Sequence, residues 1–481
     1  MKQWKLYVLF VVMVVVVLGA CNESEDYENE LLEDDQDGLI EDVSNPVLKE
    51  ENVELIFRHT HLHEDIDQLV LQRLETMIDT IEEKIGIMVT LDEGTQDSYG
   101  AMLSNEATRN ELPHIIEMDL NSYGHAPFFY EETEHLLDLT DFLEESGLID
   151  QFHSLDSFTV DGRVYGIPVS GQINQLFYKK DLVEELGGVP ETLDDLVELM
   201  EEANHAGYNP IYLDDFSAMP FTLFEGILQQ TVSSEKIHDL LNGEANWTDD
   251  EFVATFEMME ALKEVGISIF DLEETEISEI DIDGETFDVP ENESYFTIDS
   301  EAFLRDDIVF SYNPYYLYIS LLNSSGDYSH MQGNIGVMTI PGVQGEQSSV
   351  HGSFTSGYVF RGDLTDVEKQ MIFQFIEILL SEEMMVEEQL QYESIPSIRV
   401  AADAANDELF QEIIRTTNEA DGVFQGIREF IPPAIYDQVF YQSEIIEVLN
   451  NFIFGDQSIQ EAVETLQNFH ESVLQEANLN E

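Results

Sequence analysis

The stretch RHTHLHED places His59, His61 and His63 at alternate positions, so an extended backbone would carry all three imidazoles on one face. Zinc is the commonest use of such a cluster. Glu64 or Asp65 would supply the fourth ligand, because the chain has one cysteine only. The stretch DIDGETFD, from Asp281 to Asp288, echoes a calcium loop but lacks the third spaced acid and the closing Glu of an EF-hand. It reads as a solvated acidic loop. With 101 Asp and Glu residues, some carboxylate pair is bound to fall at glycosidase spacing, and no local signature singles one out. The sequence contains no G-x-S-x-G elbow, no H-E-x-x-H and no P-loop. Binding is therefore better represented than catalysis, and a glycoside-degrading protein stands as the enzyme alternative.

The single cysteine, Cys21, closes the one long apolar run. Lys2 and Lys5 form a short basic start, and Leu6 to Leu18 is apolar throughout. At about a dozen residues this run is short for a bilayer span, and with Gly19 and Ala20 behind it the layout is that of a secretory signal peptide. Leu18-Gly19-Ala20-Cys21 resembles the lipobox of bacterial lipoproteins, in which the Cys thiol takes a diacylglycerol and becomes the anchored N-terminus. That resemblance leaves no thiol for a disulfide, for catalysis or for a Cys-based metal site. It implies residues 1–20 as signal, 21–50 as an acidic tether, and an exported protein on the outer face of the cell membrane.

Lys and Arg number 18 against those 101 acids, giving a formal charge of -83 and a pI near 4.1. Hydrophobic residues make up 43%, enough for a sizeable core, so this is not a disordered acidic polymer. Such a charge repels nucleic acid and anionic lipid. The acids are spread along the whole chain, as a solvated surface adapted to a salty or alkaline medium would have them.

From Val53 strands and helices alternate. VELIF, IMVTLDE and LPHIIEMDL read as strands. IDQLVLQRLETMIDTIEEKIG has helical apolar spacing and stops at Gly86, and Thr192 can cap a helix with Asp in its first turn. This rhythm predicts a parallel α/β sheet, and the length favours two lobes.

The stretch DGRVYGIPVSGQINQLFYKKD (161–181), followed by GGVPETLDDL, closely resembles the family 1 extracellular solute-binding proteins, the sugar-binding lipoproteins of ABC importers. Lys180 stands where that family has Asn, and Leu193 where it has Trp. Further segments agree in order: ELPHIIEMDLNSYG with His114 for the usual Asp, SEAFLRDDIVFSYNPYY with Asn313 for Gly and Tyr315 for Trp, IGVMTIPGVQG, HGSFTSGYVF, DVEKQMIFQFIEILLSEE and GDQSIQEAVETLQ. DLEETEISEIDIDGETFDVPENE (271–293) has no counterpart and looks like an acidic insertion.

The resemblance implies a two-lobed type II periplasmic-binding fold with hinge strands and a ligand cleft. Its lobes would be 51–170 with 341–393, and 171–340 with 394–481. It implies a monomeric receptor without a cofactor that binds a carbohydrate, closes by hinge bending and serves an ABC permease while doing no chemistry itself. Sugar faces call for flat rings and sugar rims for polar groups. The positions picked out are Tyr123, Tyr315, Phe354 and Tyr441 as rings, with His59, His61, Asp119, Gln172, Asn174 and Asn313 as polar partners. Few cations favour a neutral sugar, with Arg58 as the residue that would overturn this. A metal receptor built on His59, His61 and His63 is the alternative, although zinc-binding lipoproteins scatter their His residues along the chain.

Overall fold

The computed structural model describes residues 54–480 except 61–66, 95–98, 121–124, 214–218, 270–276, 283–284, 291–302, 305–307, 316–330, 332, 344–348, 389–393, 421, 425 and 428–437. Cys21, His61, His63 and Tyr123 lie outside the described residues, as do the signal and tether segments. Tyr441 lies on the helix Gln438–Ile453, with its side chain outside the description.

Strands β1 (Glu54–His59), β2 (Met88–Glu93) and β3 (Ile115–Asp119) are parallel, in the order β2-β1-β3. The helix Asp67–Ile85 between the first two presents Leu71, Leu74, Ile78 and Ile81 to the core, the three- and four-residue spacing of one helical face. It ends at Gly86, as predicted, where φ is +72°. A short hairpin, β4 (Thr159–Val160) and β5 (Arg163–Val164), leads into β6 (Gly166–Lys179), a single 14-residue strand. Then follow β7 (Asn209–Leu213) and β8 (Ile267–Ile269), a hairpin of β9 (Ile277–Ile282) and β10 (Glu285–Pro290), and β11 (Ile308–Pro314), β12 (Ile335–Met338) and β13 (Val350–Phe360). Two short strands, β14 (Ile395–Pro396) and β15 (Val423–Phe424), complete the set.

One sheet path, β2-β1-β3-β13-β6-β11-β7-β8, joins two parallel-rich halves through β13 and β6. The early part of β6 pairs with β13 and the late part with β11 and β12, so these long antiparallel strands belong to both halves. The helices divide in the same way. Asp67–Ile85, Asp366–Leu379 and Glu382–Glu388 pack on one another beside the first half. Leu193–Ala206, Met219–Thr231, Asp250–Gly266, Gln438–Ile453 and Ile459–Asn480 pack around the second. Thr192 caps its helix through a full capping box with Asp195.

One expectation is corrected. The stretch 277–290 is a β-hairpin, with Glu285 opposite Ile282 and Pro290 opposite Ile277, and not an acidic loop. Ile280 and Ile282 before Asp283-Gly284 and Phe287 and Val289 after it alternate with polar residues, a hairpin signal that the acidic composition hides.

Candidate functional site

The parallel strands of both halves run toward the middle of β6. In the first half β3 ends at Asp119, which pairs with Ser356 of β13, and Ser356 pairs in turn with Ser170 of β6. In the second half β11 ends at Pro314, opposite Asn174. The carboxyl edges of both half-sheets therefore meet over Ser170–Asn174, about 13 Å of extended chain. Ligands of open α/β sheets bind outside such edges.

Across that stretch the two faces of β6 differ. Residues directly opposite one another in an antiparallel pair share a face, so Asn174 lies with His351 and Gln172 with Ser353. On this face Gln172 is exposed, while Ser170, Asn174 and Ser353 are half-buried. The other face carries Gly171, Ile173 and Gln175 and is covered. The Phe354 ring lies flat on Gly171, where a Cβ would come within 2.4 Å of it. The Gln175 amide reaches Ile413 O and Thr417 Oγ1 of the helix Glu408–Glu419.

This division separates the sequence candidates. Gln172 and Asn174 stand on the open face. Asn313, opposite Gln175, is buried on the covered one. Tyr315 is 4% exposed, stacked on Phe410 at 5.9 Å, with its hydroxyl accepting from Ile395 N. Phe354 is 1% exposed and stacks with His153 at 5.5 Å. The two rings expected at lobe edges are thus packed behind the hinge strand, because glycine at 171 leaves a flat seat there. Sequence alone cannot assign an aromatic in or just beyond a strand to a site or to a core.

At the edge of the first half, His59 is buried and its carbonyl accepts from Gly94 N at 2.7 Å. Asp119 is half-buried, and its N–H donates to His125 Nδ1 at 2.9 Å. That bond leaves the proton of a neutral imidazole on Nε2. His125 is 3% exposed, and its ring lies 4.6 Å from that of Tyr99. Arg58 is committed to carboxylates, with Nε 2.9 Å from Asp92 and Nη1 2.9 Å from Glu106. The sequence did not single out His125, His351 or Glu225. His351 and Glu225 owe their places to partners distant in the chain, whereas His125 bonds Asp119 six residues away. Among the three only His351 falls in a segment of the resemblance, as the first residue of HGSFTSGYVF.

Burial pushes His125 down to about 4, with Glu117 opposing, and burial with Arg399 nearby pushes His153 down to about 3. Both folded values lie below the unfolded 6.5, so the unfolded chain binds more protons between them. The stability these groups contribute is complete above about pH 6.5 and is lost as pH falls through the folded values. In thermal melts from pH 7.5 to 4 at constant high salt, His125→Asn should lose less stability than the parent. Asn keeps an acceptor for Asp119 N–H but does not titrate. The difference should be on the order of 3 kcal/mol by pH 4; parallel acid limbs would show that His125 contributes nothing to them.

Comparison with known proteins adds independent findings. The family described as bacterial extracellular solute-binding protein matches residues 76–413. The multiple sugar-binding protein of Streptococcus mutans serotype c is 27% identical over 125 residues, 24% of this chain and 26% of that protein, so this match spans about a quarter of the relative. Among solved structures, a probable secreted solute-binding lipoprotein from Streptomyces coelicolor superposes with a TM-score of 0.64 at 14% identity, covering 86% of this chain and 98% of that one. The sugar-binding protein MalE from Xanthomonas citri does so with 0.63 at 16% identity, covering 89% and 98%.

Proposed function

The chain belongs to the bacterial extracellular solute-binding proteins, and we propose that it is the sugar receptor of an ABC importer, closing two lobes around a neutral mono- or oligosaccharide. Members of this family are binding proteins and not enzymes, so a glycoside-degrading role is set aside. The observation that carries the proposal is the polar face of β6, where Ser170, Gln172 and Asn174 lie at the junction of two sheet edges. A hydroxyl and two amides at every second residue suit the rim of a sugar, since each can donate and accept.

Charge supports a neutral ligand. Cations are few, and Arg58, the one that threatened this choice, is held by two carboxylates. The names of the Streptococcus mutans relative and of the Xanthomonas citri structure, both sugar-binding, support a sugar as the ligand. Direct contacts are assigned to Gln172, Asn174 and Asp119, with His59 and His61 at the first loop and Tyr123 and Tyr441 as stacking rings. Asn313, Tyr315 and Phe354 are assigned to the wall behind the hinge strand. The lobes are taken as 51–170 with 341–393 and 171–340 with 394–481. A diacylglycerol on Cys21 would hold the receptor on the outer membrane face beside its permease, more firmly than a single acyl chain.

A thermal-shift screen at high salt tests this, comparing neutral sugars, uronic acids and zinc. A bound ligand at about 100 times its Kd stabilises by roughly 2.7 kcal/mol. The expected result is a shift with a neutral sugar, reduced by Gln172→Ala. A shift with zinc alone, abolished by His59→Ala with His61→Ala, would replace the sugar receptor with a metal receptor.

A further inference from the structure

Beside Asn174, on the same face of the sheet, lies a buried carboxylate–imidazole pair. His351 on β13 and Glu225 on the helix Met219–Thr231 are both buried, with His351 Nε2 at 3.3 Å from Glu225 Oε2. The other carboxylate oxygen, Oε1, accepts from Ile427 N at 2.6 Å. On its far side, His351 Nδ1 lies 3.5 Å from Asn174 Nδ2. The imidazole is walled by Tyr312, stacked at 6.3 Å, and by Phe424 at 6.0 Å. Glu225, Tyr312 and Phe424 thus converge on the His351 imidazole, which alone among them meets the half-buried Asn174 amide of the hinge strand.

With a neutral imidazole, the donors and acceptors in this chain leave one arrangement. A carboxylate only accepts, so His351 Nε2 must carry the proton that faces it. A neutral imidazole protonated at Nε2 has an accepting Nδ1. Asn174 must therefore turn its NH2 toward His351, which leaves its Oδ1 for the open face. We propose that Glu225 and His351 are positioning residues that fix the polarity of the Asn174 amide, so that the hinge strand offers an acceptor oxygen to a hydroxyl of the ligand. The ligand contact rests on the sugar-receptor function proposed above, whereas the polarity of the network does not. The device sets specificity, because a fixed acceptor selects a hydroxyl that can donate at that point of the ring. An ether oxygen placed there would face a second acceptor.

Glu225→Gln reverses the chain with almost no change of shape. Its oxygen stays on Ile427 N–H, so its NH2 must face His351 Nε2. The imidazole proton then moves to Nδ1, and Asn174 must turn its oxygen inward. The imidazole 15N spectrum of 15N-histidine-labelled protein, with the His351 signals assigned through His351→Gln, reads this directly at neutral pH. The expected result is an Nε2–H tautomer in the parent and an Nδ1–H tautomer in Glu225→Gln. The same tautomer in both, or an imidazole protonated on both nitrogens in the parent, would overturn the proposal. Should Glu225→Gln fail to fold, Asn174→Asp asks the question from the other end. With a carboxylate on each side, the imidazole takes a second proton from solvent and donates from both nitrogens, and an imidazole still neutral and protonated at Nε2 alone would overturn the proposal.

Affinity for maltose, lactose and chitobiose is then measured in the parent, in Glu225→Gln, in Asn174→Ala and in the double variant. For a sugar that binds, Glu225→Gln should weaken affinity about tenfold in the parent and leave it unchanged in the Asn174→Ala background. An equal loss in both backgrounds would show that Glu225 does not act through Asn174 and would overturn the proposal. Absence of binding by any neutral sugar in the parent would instead count against the receptor function, and the tautomers alone would then decide the network.

Discussion

Raising sodium chloride from about 0.1 M to about 2 M should raise the melting temperature by about 10 °C or more, most of it gained below about 0.5 M. The formal charge of -83 is the cause. Compaction brings carboxylates closer than they are in the unfolded chain, so self-repulsion is stronger in the folded state. The basic side chains are too few to offset it, and several are already paired, as in Arg58 with Asp92 and Glu106, Lys180 with Glu412 and Lys236 with Asp249. Salt also screens these attractive pairs. Arg58 is buried, however, and buried pairs are screened less than the exposed acids that repel one another. The profile identifies the mechanism. Screening saturates as the Debye length falls from about 10 Å toward 3 Å, whereas salt exclusion from the surface keeps raising stability with concentration. A melting temperature that is flat or falls below about 0.5 M would show that charge repulsion does not govern the salt response.

Local signals in the sequence suffice where one element decides its own shape. The helix Asp67–Ile85 and strands β1 to β3 follow their apolar periods, and Thr192 caps where its chemistry predicts. The hinge strand was harder. Ser170-Gly171 interrupts the apolar pattern between VYGIPV and QINQLFY, but β6 runs through both, because β13 on one edge and β14 on the other hold that point extended. Gln172 and Asn174 were legible as polar residues alternating with apolar ones. Tyr315 and Phe354 were not, since their enclosure depends on Phe410, His153 and Gly171. Glu225 carries no motif and His351 only opens the HGSFTSGYVF segment, and the fold alone brings them together.

Gly357→Ala should abolish folding or cost at least about 3 kcal/mol, although alanine is the smallest possible addition. Gly357 lies where β13 leaves the hinge and enters the first half-sheet, opposite Met118 of β3 on one side and Pro168 of β6 on the other, next to an irregularity in the register. A Cβ there would lie 2.0 Å from Ile167 O and 2.7 Å from Pro168 Cα. Both are backbone atoms, so no rotamer change gives relief and β6 itself must move away. That displacement would pull on Ser170 and Gln172 just beyond, so a folded remnant should also lose ligand-induced stabilisation. Gly422→Ala is the control, because its nearest neighbour is Ser349 Oγ at 3.9 Å. It should stay within about 1 kcal/mol of the parent, on the stabilising side if anything, because alanine narrows the unfolded ensemble. Chemical denaturation of both variants in high salt gives the comparison. Equal midpoints would show that the close approach of β13 to β6 at Gly357 carries no energetic weight, and would end the claim that these two strands are held too tightly together to admit a side chain.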